Sequence, residues 1–390
     1  MKAAVYGLGK LGKPLAEFMQ YRGISTIGVD VDPAKLKSDK IETTNDFKYA
    51  VKNTDISVIF VNTPNLEDGA FNLKYVHQVA ESIANELKFK KKYHLIALRS
   101  TVLPGATEDI IDQIERISGK KCGKDFGMVH SPEFLALGEE IENIRNPEYV
   151  LIGEYDRKSG DLYSGLCKKI MENNAPIVRT SLKDAELAKL LANNYITMKL
   201  NFANLIGEIC DKAGTDPDQI SDILGRDSRI GRKFLTAGLS YGGTCFPRDN
   251  VALAYYLDRI GMEVNFPKML ENMNNRQVER IANKIKDPKK VIAVLGTSFK
   301  PGTDVVVESA SIKLINILKE RGATIKVHDV SALDNTRAVL KDNVTYHESL
   351  EDCVQGSDIV IIANPTKEYK QMKRSLLKDK EVLDCWRILK

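Results

Sequence analysis

The chain of 390 residues reads as an α/β protein in three parts: an N-terminal parallel-sheet domain, a central long-helix region and a second, smaller α/β domain. Three observations predict this. Short apolar runs alternate with amphipathic stretches in the first part, the same alternation returns near the C-terminus, and one helical pattern uninterrupted by proline separates them. The length also exceeds the ~250 to 300 residues at which a single core stops growing. The parts are placed at 1–178, 179–286 and 287–390.

In the first part, Ala3 to Tyr6, Ile24 to Val29, Ile56 to Val61, His94 to Leu98 and Gly127 to His130 read as strands, with Leu11 to Gln20 and Leu73 to Leu87 as helices between them. That is a βαβ series, and it implies a parallel sheet covered by helices. Ser181 followed by Asp184 opens the central helix in the manner of a capping box. The helix then runs to Gly214, about 30 residues and ~45 Å, and a helix so long is expected to be buried over most of its length. Asp216 caps a further helix with Pro217 at its first position, and a glycine-rich loop from Gly225 to Cys245 precedes a helix opened by Pro247. Val291 to Leu295, Thr324 to His328, Ile359 to Ala363 and Glu381 to Leu383 are the strands of the last part.

Composition narrows the function. Lys plus Arg total 57 against 53 Asp plus Glu, and basic runs such as Lys88 to Lys92 adjoin acidic or apolar segments, so they read as solvated faces and not as a nucleic-acid surface. Six scattered cysteines, without a CxxC pair or metal-type spacing to the five histidines, point to free thiols in a reducing compartment, the cytoplasm, and to no metal. The apolar runs have strand length, so neither a signal peptide nor a membrane span is expected.

Gly7, Gly9, Leu11 and Gly12 lie in GLGKLG, after the first strand and at the head of a helix. Glycines there let the backbone turn tightly and approach a pyrophosphate, which sits on the helix N-terminus: the Rossmann arrangement. Asp30 ends the next strand, where a carboxylate accepts the adenosine ribose hydroxyls and repels a 2′-phosphate, so the expected cofactor is NAD and not NADP. VNTP (Thr63, Pro64) and RSTVLPG (Thr101) follow later strands on the cofactor side.

Cys245 stands just ahead of Pro247 in YGGTCFPRD, where a helix dipole favours the thiolate. Gly242 and Gly243 leave room beside it, and Asp249 lies about one turn along. Lys189 and Asn193 share a face of the long helix, and Glu133 follows a strand in HSPEF. Taken singly, these residues equally suit a buried structural cysteine, a lysine reaching out to water and an ordinary loop acid. Together they suggest oxidation through a covalent sulfur adduct.

The motifs GLGKLG, VNTP with EDGAFNL, STVLPG, SPEFL, AELAKLLANNY, SRIG, YGGTCFPRD and SFKPGTD, in this order and over nearly the whole chain, resemble the UDP-glucose dehydrogenase family of nucleotide-sugar dehydrogenases. The resemblance implies oxidation of a sugar C6 alcohol to a carboxylate with two NAD⁺. It implies Cys245 as nucleophile, with Thr101, Glu133, Lys189, Asn193 and Asp249 around it; Asp249 is the preferred general base and Glu133 assists hydrolysis. It also implies substrate contacts at Glu133, Phe134, Leu135, Lys189, Asn193, Phe234, Tyr241, Gly242, Phe299 and Lys300, and Arg229 supplied by the other subunit of a homodimer. Thr244, where N-acetyl-sugar branches carry His, favours UDP-glucose; GDP-mannose is the second choice.

The chain departs from the family at Leu137 and Val307, where the family has Glu and Arg, and at Ala237 and Ser240, where it has Pro and Gly. Two other classes share parts of the pattern. A two-electron dehydrogenase of the 6-phosphogluconate kind would leave Cys245 inert, and a non-catalytic binding protein would hold nucleotide sugar without turnover.

Overall fold

The computed structural model describes residues 1–134, 138–287 and 289–389. It divides into two compact units, Met1–Ala192 and Asn193–Lys390, with the boundary inside the helix Leu182–Ala213.

The sheet of the first unit contains β1 (Lys2–Tyr6), β2 (Ser25–Val29), β3 (Glu42–Thr44), β4 (Ile56–Ile59), β5 (His94–Leu98), β6 (Phe126–His130), β7 (Val150–Glu154) and β8 (Ile177–Thr180). The order across it is β3-β2-β1-β4-β5-β6-β7-β8, parallel except where β6 meets β7. Inner strands such as β4 and β5 are buried along their whole length because helices cover both faces. On one face the helices Phe47–Asn53, Lys74–Leu87 and Ala106–Ser118 close a core around Ile59, Ile83, Ile96, Ile110 and Phe126. On the other, Gly12–Tyr21 and Arg157–Ile170 pack Leu15, Met19, Tyr163 and Leu166 on Val5, Val58 and Val129. The strand order reverses between β1 and β4, and ligands bind beyond the carboxyl ends of strands at such a point.

A buried carboxylate ties the long helix to this sheet. Glu186 accepts the Gly105 N–H at 2.6 Å, the Thr107 N–H at 2.8 Å and the Thr107 hydroxyl at 2.5 Å. Gly105, in the left-handed region at φ 97°, has no side chain with which to cap the helix Ala106–Ser118, and Glu186 does so from a distance.

In the second unit the helices Pro217–Gly225, Phe246–Arg259 and Phe266–Ala282 precede β9 (Val291–Leu295), β10 (Thr324–His328), β11 (Thr345–Tyr346), β12 (Ile359–Ile362) and β13 (Glu381–Asp384). These strands are all parallel, in the order β11-β10-β9-β12-β13. The turn after β9 repeats the turn after β1. Gly7 and Gly296 both take positive φ, 99° and 95°, and their N–H groups donate to Val29 and His328, each at 2.8 Å. An aspartate at the tip of the neighbouring strand then grips the turn: Asp30 accepts from Leu8 N, and Asp329 accepts from Thr297 N and Ser298 N.

The long helix is not buried all round. Leu191, Tyr195, Phe202 and Ile209 are 47 to 55% exposed, with the half-buried Met198 and Leu205 between them. The six positions run at 4-3-4-3-4 spacing and make one apolar seam. The opposite face is buried but polar, with Asn193, Asn194, Thr197, Asn201 and Asn204.

His94 and His130 are fully buried beside the first sheet's core, and burial pushes each imidazole down to about 3, with Lys90 adding to the effect on His94. In the unfolded chain both titrate near 6.5, so below that pH the unfolded state takes up protons that the folded state refuses, and stability falls with falling pH. Each is expected to cost about 2 kcal/mol between pH 7.5 and 5. Urea unfolding across that range should show a His94→Gln variant losing stability less steeply than the wild type, by about 1.4 kcal/mol per pH unit below pH 6. Equal slopes would remove His94 from the account.

Candidate active site

The glycine turn after β1 is shaped for a close ligand. A Cβ on Gly7 would lie 2.4 Å from the Phe60 carbonyl and one on Gly12 would lie 1.9 Å from the Gly7 carbonyl, whereas a Cβ on Gly9 would meet nothing within 4 Å. Gly7 and Gly12 are thus required by the protein's own backbone, and Gly9 leaves open space above it. Leu11 precedes the helix Gly12–Tyr21. Asp30 is 7% exposed; its Oδ2 accepts Leu8 N at 2.7 Å and its Oδ1 accepts Asp32 N at 2.9 Å, with Lys35 Nζ at 3.9 Å. Each carboxylate oxygen has a second lone pair for a ribose hydroxyl. The donor set fits an adenine dinucleotide: open backbone at the helix head and an acid at the tip of β2.

The loops after β4 and β5 are stitched together. Thr63 donates its hydroxyl to the Thr101 carbonyl at 2.8 Å, and Ser100 Oγ both accepts from Val61 N and donates to Val61 O. Pro64 accepts Asn72 N at 2.7 Å, which folds EDGAFNL back on VNTP. Glu133 forms an ion pair with Arg99, whose guanidinium also donates to the Tyr163 hydroxyl at 2.8 Å and lies 5.8 Å from the Phe60 ring centre. Lys189 is 8% exposed and holds its ammonium 4.9 Å above the Phe134 ring, which packs on Tyr149. Leu135 and Leu137 lie outside the described residues.

In the second unit Cys245 is partly exposed and precedes the helix Phe246–Arg259, with Thr244 Oγ1 3.6 Å from its sulfur. Its carbonyl accepts Asp249 N at 2.8 Å, the first turn of that helix. Asp249 is 1% exposed; its Oδ1 accepts Arg248 Nε and Nη2 at 2.9 and 2.8 Å, and its Oδ2 accepts Asn193 Nδ2 at 2.6 Å. Burial works against the Arg248 charge, but the facing Asp249 and Cys245 outweigh it and raise its pKa.

The loop carrying Cys245 is clamped by its neighbours. Gly243 N donates to Val307 O at 3.0 Å; a Cβ on Gly243 would lie 2.5 Å from the Phe299 ring and one on Gly242 would lie 2.1 Å from the Glu308 carbonyl. The two glycines therefore make room for the protein's own chain. Tyr241 turns inward: its hydroxyl donates to Glu271 at 2.6 Å and accepts from Asn250 at 3.1 Å. Phe299 and Lys300 line a groove of about 170 Å³ beyond β9 and β12, together with Ser298, Ser311, Asn364 and Trp386. Arg229 is highly exposed and pairs with Asp227, and Phe234 is exposed at φ 61°.

Sequence reasoning missed Arg99, Glu186 and Arg248. Arg99 directly follows the buried strand β5, and Arg248 sits between two residues already singled out; both were findable signals. Among the described residues no cluster of three or more side chains is arranged to hold a metal, and no helix is long and apolar enough to cross a membrane.

Comparison with known proteins gives a consistent set of similarities. The chain matches three domains of the UDP-glucose/GDP-mannose dehydrogenase family: the NAD binding domain over 34–171, the central domain over 183–276 and the UDP binding domain over 293–390. A GDP-mannose 6-dehydrogenase of Pseudomonas aeruginosa is 30% identical over 98% of this chain and 96% of that protein. A UDP-glucose 6-dehydrogenase of Bacillus subtilis is also 30% identical, over 98% of this chain and 88% of its own length. A solved UDP-glucose dehydrogenase from Pyrobaculum islandicum matches with a TM-score of 0.92 at 29% identity, covering 99% of this chain and 94% of that one.

The glycine turn makes a two-part prediction. Gly9→Ala should weaken NAD⁺ binding at least ~30-fold by calorimetry while leaving the melting temperature within about 1 °C, because its Cβ enters only the ligand's space. Gly12→Ala should lose both binding and several degrees of melting temperature. Unchanged affinity in Gly9→Ala would place the dinucleotide elsewhere.

Proposed function

Because the chain belongs to the UDP-glucose/GDP-mannose dehydrogenase family and carries its NAD-binding domain, we propose that it oxidises the C6 alcohol of UDP-glucose to UDP-glucuronate, a four-electron reaction. The observation that carries this reading is Cys245 at the head of a helix, partly exposed, beside a buried Asp249 already bonded to Asn193 and Arg248.

NAD⁺ bound at the glycine turn supplies the hydride acceptor for each of the two oxidations. The C6 hydroxyl gives up its proton as hydride leaves, and the aldehyde so formed is captured by Cys245: the sulfur bonds to C6 and the oxygen takes a proton. Loss of a second hydride and proton leaves a thioester. Water then adds, the C–S bond breaks, and the thiol and a carboxylate are released. We assign Lys189 and Asn193, one turn apart on the long helix, to the oxygen that becomes negative at each addition, a contribution of about 3 kcal/mol per donor in comparable sites. Asp249 serves as general base, directly or through a water, and Thr101 and Glu133 act in hydrolysis. The groove at Ser298, Phe299, Lys300 and Ser311, at the head of the helix Ala310–Glu320, suits the nucleoside diphosphate.

Functional parts at 1–178, 179–286 and 287–390 accord with the segments that match the family. The six cysteines are all free, which fits the cytoplasm. GDP-mannose is the alternative substrate, favoured by 30% identity to enzymes of that name, equal to the identity with a UDP-glucose enzyme.

We infer that a homodimer forms along the Leu191 to Ile209 seam and covers the exposed apolar face, and, as the family resemblance implies, that Arg229 reaches the substrate of the other subunit.

Assays with a panel of UDP and GDP sugars should give the highest kcat/KM with UDP-glucose and two NADH per sugar consumed. Cys245→Ser should form no acid. A single NADH per turnover in the wild type refutes the covalent route, and GDP-mannose in first place moves the substrate assignment. Sedimentation should show a dimer that Phe202→Glu converts to monomer; a wild-type monomer would leave the seam unexplained.

A further inference from the structure

Ser240 lies between the two halves of the clamped loop, and its backbone position is fixed from both sides. Before it, Gly238 N donates to Asn204 Oδ1 at 2.8 Å and Gly238 O accepts Gln277 Nε2 at 2.7 Å. After it, Tyr241 N donates to Asn274 Oδ1 at 3.0 Å and Tyr241 O accepts Asn274 Nδ2 at 2.9 Å. Every one of these groups is paired, but the Ser240 hydroxyl is not. The residue is 9% exposed, and its Oγ has no hydrogen-bond partner among the described residues. A buried hydroxyl left in that state costs free energy that a partner would restore.

Ser240 also lines the groove beyond β9 and β12, with Ser298, Lys300 and Ser311. Two other hydrogen-bonding side chains on that wall are already engaged: Asn364 Nδ2 donates to the Ser298 carbonyl and hydroxyl, and Trp386 Nε1 to the Ala363 carbonyl. The backbone N–H groups that open the helix Ala310–Glu320 and the Lys300 ammonium make this wall a place for an anion. One χ1 turn of about 120° moves a serine hydroxyl between staggered wells.

We propose that the Ser240 hydroxyl donates a hydrogen bond to a phosphoryl oxygen of the bound nucleoside diphosphate. The inference rests on the reading of this groove as the nucleotide-sugar site and adds a ligand group on the same loop as Cys245. Substrate is thereby held by the element that carries the nucleophile, so diphosphate binding and cysteine placement share one short stretch of backbone.

The test compares wild type and Ser240→Ala in calorimetric titrations with UDP, GDP and uridine, with NAD⁺ as a control, and in thermal unfolding without ligand. UDP and GDP affinities should fall by similar factors of about 5 to 30, uridine and NAD⁺ should be unaffected, and the ligand-free melting temperature should rise by about 1 to 3 °C as the unpaired hydroxyl is removed. Stability and affinity move in opposite directions, which a merely structural role does not produce. UDP binding within twofold of wild type overturns the proposal, as does an equal loss with uridine, which would put the contact on the nucleoside. If the wild type binds neither UDP nor GDP, the groove itself has been misread and the function proposed for it fails first.

Discussion

A buried carboxylate governs the second unit. Asp249 is 1% exposed, and a charge out of water must be paired or it destabilises the fold. Arg248 and Asn193 meet the requirement from two sides, one oxygen each. Removing one partner of such an arrangement costs about 3 to 5 kcal/mol, so the head of the helix Phe246–Arg259 is not free to shift along the long helix. The same helix face continues the grip: Asn194 donates to Asn250, Asn201 to the Leu270 carbonyl, and Asn204 accepts from Gly238. These bonds contribute only about 1 kcal/mol each, but leaving any of them unmade inside the packing would cost more. The polar face of the long helix therefore works as a template that holds the cysteine loop, while its apolar face stays available to a partner surface.

The two sheets use one device for two purposes. Each has a glycine at positive φ after its first strand and an aspartate at the tip of the next that accepts backbone N–H groups from the turn. They differ in the length of chain between turn and helix. After Gly7 the helix begins at Gly12, with Gly9 open above the backbone, which suits a pyrophosphate lying flat on the turn. After Gly296 the helix begins only at Ala310, and the intervening loop brings Phe299 and Lys300 to the groove while its far end, Val307 and Glu308, packs on Gly242 and Gly243. One loop thus touches both the groove and the cysteine loop.

Much of this was legible in the sequence because local rules and tertiary needs agreed. The strands that lie in the middle of each sheet announced themselves as apolar runs, and Ser181 and Asp216 cap their helices as their residue types predict. Short or half-buried edge strands escaped, as did one inner strand: β3 is three polar residues, β11 only two residues, β8 is partly exposed, and β7, buried inside the sheet, offers only the apolar run Val150 to Ile152 before Gly153. The expectation that the long helix is buried along most of its length failed on the Leu191 to Ile209 face, since helical periodicity cannot say whether an apolar stripe meets its own chain or another. At the site, residue types pointed to a chemistry, but the pairings did not follow from spacing. Tyr241 points into the helix packing toward Glu271, and Gly242 and Gly243 serve close backbone packing, neither of which a motif reveals.

The central claim is that a sulfur on this clamped loop bonds to the half-oxidised sugar carbon. The most direct measurement is acid-quenched turnover with UDP-glucose and NAD⁺, followed by mass spectrometry of the peptide containing Cys245. The account predicts a sugar-nucleotide adduct on that cysteine, transient in the wild type and absent from the other five. An active enzyme that shows no adduct at any quench time, or one on a different cysteine, would contradict it.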